Sequence, residues 1–299
     1  MAGAVKIPIW DLVDESYRFV LSHPRELIRV GWAPLLILFV TNILFGAYAP
    51  PAETVDLMAE MVRISGNIVI QTVVAAMVLV GWHRFVLLGE KARPSGPVVG
   101  MGRRELRYLL AWIVLSVLFL ILFVAAWAFV LALFFFAMAI VKLLLLLAGS
   151  GNAIPLGETN QFVVLELAAI PAAMLIAAYV AIRLSLILPA MAVDRDRAMR
   201  QAWGLSSGCG WRLVLASFFT LIPAEVISIG VALGARAAYD TVYFYPLAFG
   251  AAAGLVLLIV VTGTVLSLFS RNLDTANARA GVDAALDTGL DTGPSTSPA

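Results

Sequence analysis

Long apolar runs alternate with short basic segments along this chain, and the run lengths match a bilayer rather than a globular core. Apolar stretches predict membrane spans over about 31–48, 64–88, 163–190, 211–234 and 244–268, with a sixth beginning near Leu106. Each is close to the ~20 helical residues that cross a hydrocarbon layer of about 30 Å. Two segments read differently. Ile9, Trp10, Val13, Tyr17 and Val20 recur at helical spacing with Asp11, Asp14, Glu15 and Arg18 among them, the pattern of an amphipathic helix lying in the cytoplasmic interface. Ser22 and Pro24 then supply a cap and a first-turn residue for the next helix. Residues 194–207 repeat the amphipathic theme, with Met199, Ala202, Trp203 and Ser206 on one face. The expected fold class is therefore all-α integral membrane, with about six transmembrane helices and two cytoplasmic interfacial amphipathic helices. It divides into an interfacial segment over 1–30, a six-span membrane domain over 31–270 and a disordered cytoplasmic tail over 271–299. That tail is polar, acidic and rich in Gly, Pro and Thr.

The run over 106–147 is broken only by Lys142. As one helix it would extend about 60 Å, roughly twice the hydrocarbon thickness. Two spans there would place the Arg-free loop around Glu158 inside and Arg195, Arg197, Arg200 and Arg212 outside. One crossing, continued over 130–148 as an outer interfacial or re-entrant helix, keeps the basic residues on one side.

Charge then fixes the orientation. Of 20 Lys and Arg, 17 fall in four stretches that can all face the cytoplasm, and only Arg63, Lys142 and Arg236 lie elsewhere. The positive-inside rule puts both termini in the cytoplasm of a bacterial inner membrane. The composition agrees: 62% hydrophobic and 13% charged residues, against about 45–50% and about 25% for soluble domains. A net charge of +1 gives no reason to expect nucleic acid as a partner. Membrane lipids are the expected partner, followed by another membrane protein or a second copy of the chain. The single cysteine, Cys209, excludes an internal disulfide, and its place near the inner face makes it a candidate topology probe.

Small residues mark the packing faces. Ala169, Ala173, Ala177 and Ala181 recur every fourth residue, and Gly230/Gly234 and Gly250/Gly254 form two GxxxG motifs on neighbouring spans, where they can face each other. Glu166, Glu225 and Lys142 are the candidate intramembrane ionisable groups. Glu166 shares the face of the alanine stripe, and Glu225 follows Pro223 deep in its span. A charged, unpaired acid at that depth costs about 2.5–3.5 kcal/mol on insertion scales. Arg195, Arg197 and Arg200, with Arg103 and Arg104, are the candidate contacts to lipid headgroups. Arg84, Arg107 and Arg183 lie near the inner ends of spans, where snorkelling explains them. His23 and His83 sit at helix ends and lack the spacing of a metal site; no cofactor motif and no nucleophile–base signature appears.

The stretch Arg183-Leu-Ser-Leu-Ile-Leu-Pro-Ala-Met-Ala-Val-Asp194, with Gln201-Ala-Trp-Gly-Leu-Ser206, Gly210-Trp-Arg-Leu213 and Trp82-His-Arg-Phe-Val-Leu-Leu-Gly-Glu90, carries a resemblance. It resembles the polytopic bacterial membrane domain named after membrane-anchored glycerophosphoryl diester phosphodiesterases, in its stand-alone form. The similarity is one of pattern over roughly 5–270 and implies a helical membrane fold without chemistry. The phosphodiesterase reaction belongs to a separate barrel with histidine and acidic metal ligands, and two histidines in 299 residues cannot supply it. The expected function is therefore non-enzymatic, an envelope scaffold or sensor acting through lipid or protein contacts. The alternative is a small transporter, or a transporter subunit, using Glu225 and Glu166.

Overall fold

The computed structural model describes residues 8–46, 57–89, 102–147, 159–195, 199–238, 241 and 243–287. They form an all-α membrane protein. Its nine helices among the described residues are α1 (Ile9–Ser22), α2 (Pro24–Gly46), α3 (Leu57–Leu88), α4 (Arg103–Leu147), α5 (Thr159–Leu184), α6 (Ile187–Ala192), α7 (Met199–Leu205), α8 (Gly210–Ala237) and α9 (Phe244–Asp287). Six stretches within them are long and apolar enough to cross a bilayer, the number expected.

Proline sets two of the breaks by one mechanism. A proline has no N–H, so the carbonyl four residues earlier loses its helical donor. Pro24 deprives Val20, whose carbonyl accepts the N–H of His23 instead at 3.3 Å, and α1 ends there. Pro189 deprives Ser185, whose carbonyl accepts the N–H of Leu188 at 2.9 Å, and α5 gives way to α6. The span expected over 163–190 is thus two helices with a tight turn between them.

The chain divides into two compact units, 1–112 with 185–299, and 113–184. In the first, α9 is the centre and packs against α8, α3, α2, α1 and α6. The α8–α9 seam is the most extensive. Gly250 and Gly254 lie on it: a Cβ at Gly250 would stand 3.1 Å from Val231 Cγ1, and one at Gly254 3.5 Å from the Ser228 backbone. Gly234 lies within reach of Leu247. Gly230, expected to share this seam, faces open space instead. Toward the end of α8 Ala224, Ser228, Val231 and Ala235 are buried or half-buried along one line, and the exposed Gly230 is one residue, about 100°, off it.

The second unit holds the outer part of α4 and all of α5. Ala169, Ala173 and Ala177 are buried there, as their spacing predicts. Through 130–147 α4 continues without a break, so no re-entrant turn occurs in that stretch. At 45 residues α4 measures about 67 Å.

Two other segments depart from expectation. Among the described residues of 194–207 the helix is the seven-residue α7, with turns at 193–194 and 206–209 and with Ala202 and Ser206 buried. The helix α9 runs on to Asp287, past the point where a disordered tail was expected to start. Leu273 is buried and helix-favouring alanines recur at 276, 278, 280, 284 and 285, so the polar composition does not stop the helix.

Candidate functional site

Three consecutive residues at the end of α3 organise a polar cluster within the first unit. Side chains one residue apart on a helix point about 100° apart, so Trp82, His83 and Arg84 reach three different neighbours. The Trp82 indole N–H donates to Thr264 Oγ1 at 2.7 Å, and that hydroxyl donates to the Val260 carbonyl at 2.8 Å. His83 bridges two helices: Nδ1 lies 2.6 Å from Ser267 Oγ on α9 and Nε2 lies 3.0 Å from the Tyr108 hydroxyl on α4. All five side chains are buried. With the Tyr108 proton on Nε2, Nδ1 carries the imidazole proton and donates to Ser267 Oγ; in the other tautomer both bonds reverse, and in each case one hydroxyl of the bridge keeps a spare proton. Gly263 makes the approach possible, since a Cβ there would stand 2.6 Å from Leu79 Cδ2 and 3.6 Å from both His83 Cε1 and Trp82 Cδ1.

The third residue, Arg84, turns to the end of α6. Its Nη1 donates to the Ala192 carbonyl at 3.3 Å and stands 3.6 Å from the Asp194 carboxylate. Asp194 closes a Schellman cap: the Arg195 N–H bonds to the Ala190 carbonyl and the Asp194 N–H to that of Met191. The cap needs a left-handed residue at position 194, and Asp194 adopts it with φ +58, where glycine is the usual occupant. The left-handed conformation costs an L-residue about 1–2 kcal/mol. Opposing that strain, Arg104 grips the same carboxylate through Nε at 3.0 and 3.1 Å, with Nη2 alongside. This hydrogen-bonded guanidinium holds the Asp194 carboxyl below the usual carboxylate range, and the charges of Arg84 and Arg107 act in the same direction.

The amphipathic helix α1 is clamped beside this cluster. Leu12, Ser16 and Val20 are its buried face, and it packs on α8 and α9. The Tyr17 hydroxyl donates to the Thr220 carbonyl at 2.7 Å, Phe19 meets Trp82 edge-on and packs on Phe85, and Trp10 packs on Phe219. Burial pushes the Tyr17 hydroxyl up, which keeps it a donor. Arg271 of α9 pairs with Glu15 at 2.9 Å, and Arg195 with Asp274 at 3.4 Å. Of the apolar face expected to lie on lipid, Val20 is buried against protein and Ile9, Val13 and Tyr17 are half-buried, while Trp10 stays 65% exposed.

Around the clamp stands a set of arginines without such partners. Arg25, Arg29, Arg103, Arg107 and Arg200 are exposed and form no ion pair among the described residues. Of the residues expected at headgroups, Arg103 and Arg200 remain available, Arg104 and Arg195 are paired with aspartates, and Arg197 lies outside the described residues. Among the candidate ionisable groups, Glu225 is exposed on an apolar face of α8 with Ile222, Val226 and Ile229. Lys142 is exposed near the far end of α4. Glu166 lies on α5, and its side chain, like that of Arg236, is outside the described ones. Arg183 does not snorkel: it is 6% exposed and donates to the Tyr179 hydroxyl at 3.1 Å, with its guanidinium carbon 5.4 Å from the ring centre. Cys209 is buried, which removes it as a simple topology probe. No three His, Cys, Asp or Glu among the described residues gather as metal ligands would.

No family model, curated protein or solved structure matches the chain. The His83–Tyr108–Ser267 bridge and the Asp194 cap were not anticipated from sequence. One signal was present: Thr264, Ser267 and Ser270 place hydroxyls three residues apart in an otherwise apolar span, and buried hydroxyls call for partners on facing helices.

Proposed function

We propose that the protein is a non-enzymatic, multi-pass protein of a bacterial inner membrane that organises or senses the envelope through anionic lipid, with both termini in the cytoplasm. The observation that carries this reading is a set of five exposed arginines that form no ion pair among the described residues, Arg25, Arg29, Arg103, Arg107 and Arg200. Arg84, Arg104, Arg195 and Arg271, by contrast, are paired with acids of the same chain. Arginines next to an anionic leaflet contribute about 1 kcal/mol each. Kinship with the membrane domain of the phosphodiesterase-anchoring type is part of the same proposal, supported by the motifs around Trp82 and Arg183. The transporter alternative gains no support from a Glu225 carboxylate standing on an exposed apolar face.

Replacing Arg103, Arg107 and Arg200 together by Glu tests the proposal. In vesicles of mixed phosphatidylglycerol and phosphatidylcholine, phosphatidylglycerol around the protein should fall at least tenfold relative to the unaltered chain. Unchanged enrichment refutes the lipid reading. Orientation is read separately on a Cys209→Ala background, where Ser207→Cys should resist an impermeant maleimide in intact spheroplasts and Thr241→Cys should label. The reverse labelling pattern overturns the assigned sidedness.

A further inference from the structure

The first turns of α2 and the middle of α9 do not close fully on each other. Between them lies a partly open cleft of about 190 Å³, lined by Leu27, Gly31 and Trp32 on one side and Ala253, Val256 and Leu257 on the other. Its origin is the lack of side-chain volume at Gly31 and Ala253. The α2 backbone meets an α9 side chain at one point, where a Cβ on Gly31 would stand 3.1 Å from Val256 Cγ1, and the cleft opens beside it. The named lining residues carry no charged group, and the only side-chain polar atom among them is the Trp32 indole nitrogen.

The same face of α2 carries Arg25 and Arg29. Positions 25, 28, 29 and 32 follow the three- and four-residue spacing of one helical face. Ile28 and Trp32, which line the cleft, are 65% and 44% exposed; Arg25 precedes the lining residues of α2 and Arg29 stands among them. Neither forms an ion pair among the described residues. An apolar cleft beside two cations matches an amphiphile with an anionic head and a hydrocarbon tail. A polar solute would find nothing to bond in the slot. A peptide backbone would leave its N–H and C=O groups unsatisfied there. An apolar molecule without a charge would leave the arginines unused.

We propose that the α2–α9 cleft holds an acyl chain of one anionic phospholipid, whose phosphate is met by Arg25 and Arg29. This rests on the reading that the basic end faces an anionic leaflet, and it adds a defined, stoichiometric site to a diffuse attraction. Trp32 is the built-in reporter, because its ring forms one wall of the slot.

The full-length protein is reconstituted in vesicles with phosphatidylglycerol or phosphatidylcholine carrying brominated acyl chains, and the Trp32 fluorescence is obtained as the difference from Trp32→Phe. Trp32 should be quenched by brominated phosphatidylglycerol at a several-fold lower mole fraction than by brominated phosphatidylcholine. The Arg25→Gln/Arg29→Gln variant should erase that difference. In native mass spectrometry from mild detergent, one phosphatidylglycerol should survive activation that strips the rest. Ala253→Leu, which fills the slot, should lower its retention about tenfold, as expulsion of one to two methylenes predicts. Equal quenching by the two lipids means an ordinary lipid annulus and overturns the site. So does a Trp32 shielded from both lipids by a co-purifying protein. The quenching comparison does not depend on Ala253→Leu folding. If phosphatidylglycerol is enriched through Arg103, Arg107 and Arg200 while Trp32 shows no preference, the cleft proposal fails and the lipid reading stands. If neither shows a preference, both fail.

Discussion

The helices α4 and α9 are nearly equal in length, 45 and 44 residues, and both contain long apolar stretches, yet they have opposite fates. In the most apolar 18-residue stretch of each, 61% of α9 is buried and only 6% of α4. The more apolar helix is the less buried one. In water that would be a paradox, but lipid solvates leucine and phenylalanine as well as a protein interior does. What draws a helix inward is the close approach allowed by small residues, together with hydroxyls that need partners. Along its buried stretch α9 offers Ala248, Gly250, Ala252, Gly254, Gly263, Thr264, Ser267 and Ser270. Over 129–147 α4 offers mainly Phe, Leu, Val and Ile, with Phe129, Leu133, Phe136 and Leu147 all exposed.

The contrast is sharpest at Gly263 against Leu133. Gly263→Leu would drive a side chain into Leu79, Trp82 and His83. Overpacking of this kind costs about 1–3 kcal/mol, and we expect the upper end, read as a fall in thermal midpoint in detergent. Leu133→Ala removes more apolar area but from a 52% exposed position, and should change stability by less than about 0.5 kcal/mol. If the two variants were equally stable, close packing would not be what holds α9 at the centre.

Next in size is the His83 bridge. Replacing His83 by Phe keeps the ring volume but strands the Tyr108 hydroxyl, a loss of about 1–3 kcal/mol for a buried unsatisfied group. Adding Tyr108→Phe removes the stranded group, so the double variant should be more stable than His83→Phe alone. Additive losses in a double-mutant cycle would show that the two side chains are not coupled.

The smallest effect concerns Asp194, where the partners are half-exposed and the ion pair is screened by solvent. Its carboxyl sits below the unfolded value of about 3.9. Its stabilisation is therefore complete above that value and is lost as pH falls through the lower folded value. Between pH 5 and pH 2 the native chain should lose slightly more thermal stability than Asp194→Asn does, because asparagine tolerates the left-handed cap but does not titrate. Identical acid profiles would remove Asp194 from the account.

The spans, their number and the break at Pro24 were legible because each depends on local composition or on one residue's missing N–H. The Ala169–Ala177 stripe was legible for the same reason. Partner identity was not. His83 meets residues 184 and 25 positions away, and periodicity along one helix does not say which other helix it faces. Gly230 shows the limit from the other side, since a GxxxG motif names a spacing while a 100° offset decides whether its first glycine packs. The arginines were legible as a population but not individually. Which of them an aspartate removes from the surface depends on a cap geometry that only the folded chain displays.

The clamp on α1 has a consequence for biosynthesis. Tyr17 waits for an acceptor 203 residues downstream and Glu15 for a cation 256 residues downstream. At roughly 5–20 residues per second the ribosome needs about 10–50 s to deliver them. Throughout that interval Leu12 and Val20 lack α8 and α9, on which α1 packs in the folded chain. The clamp on the first helix is therefore among the last contacts of the bundle to close.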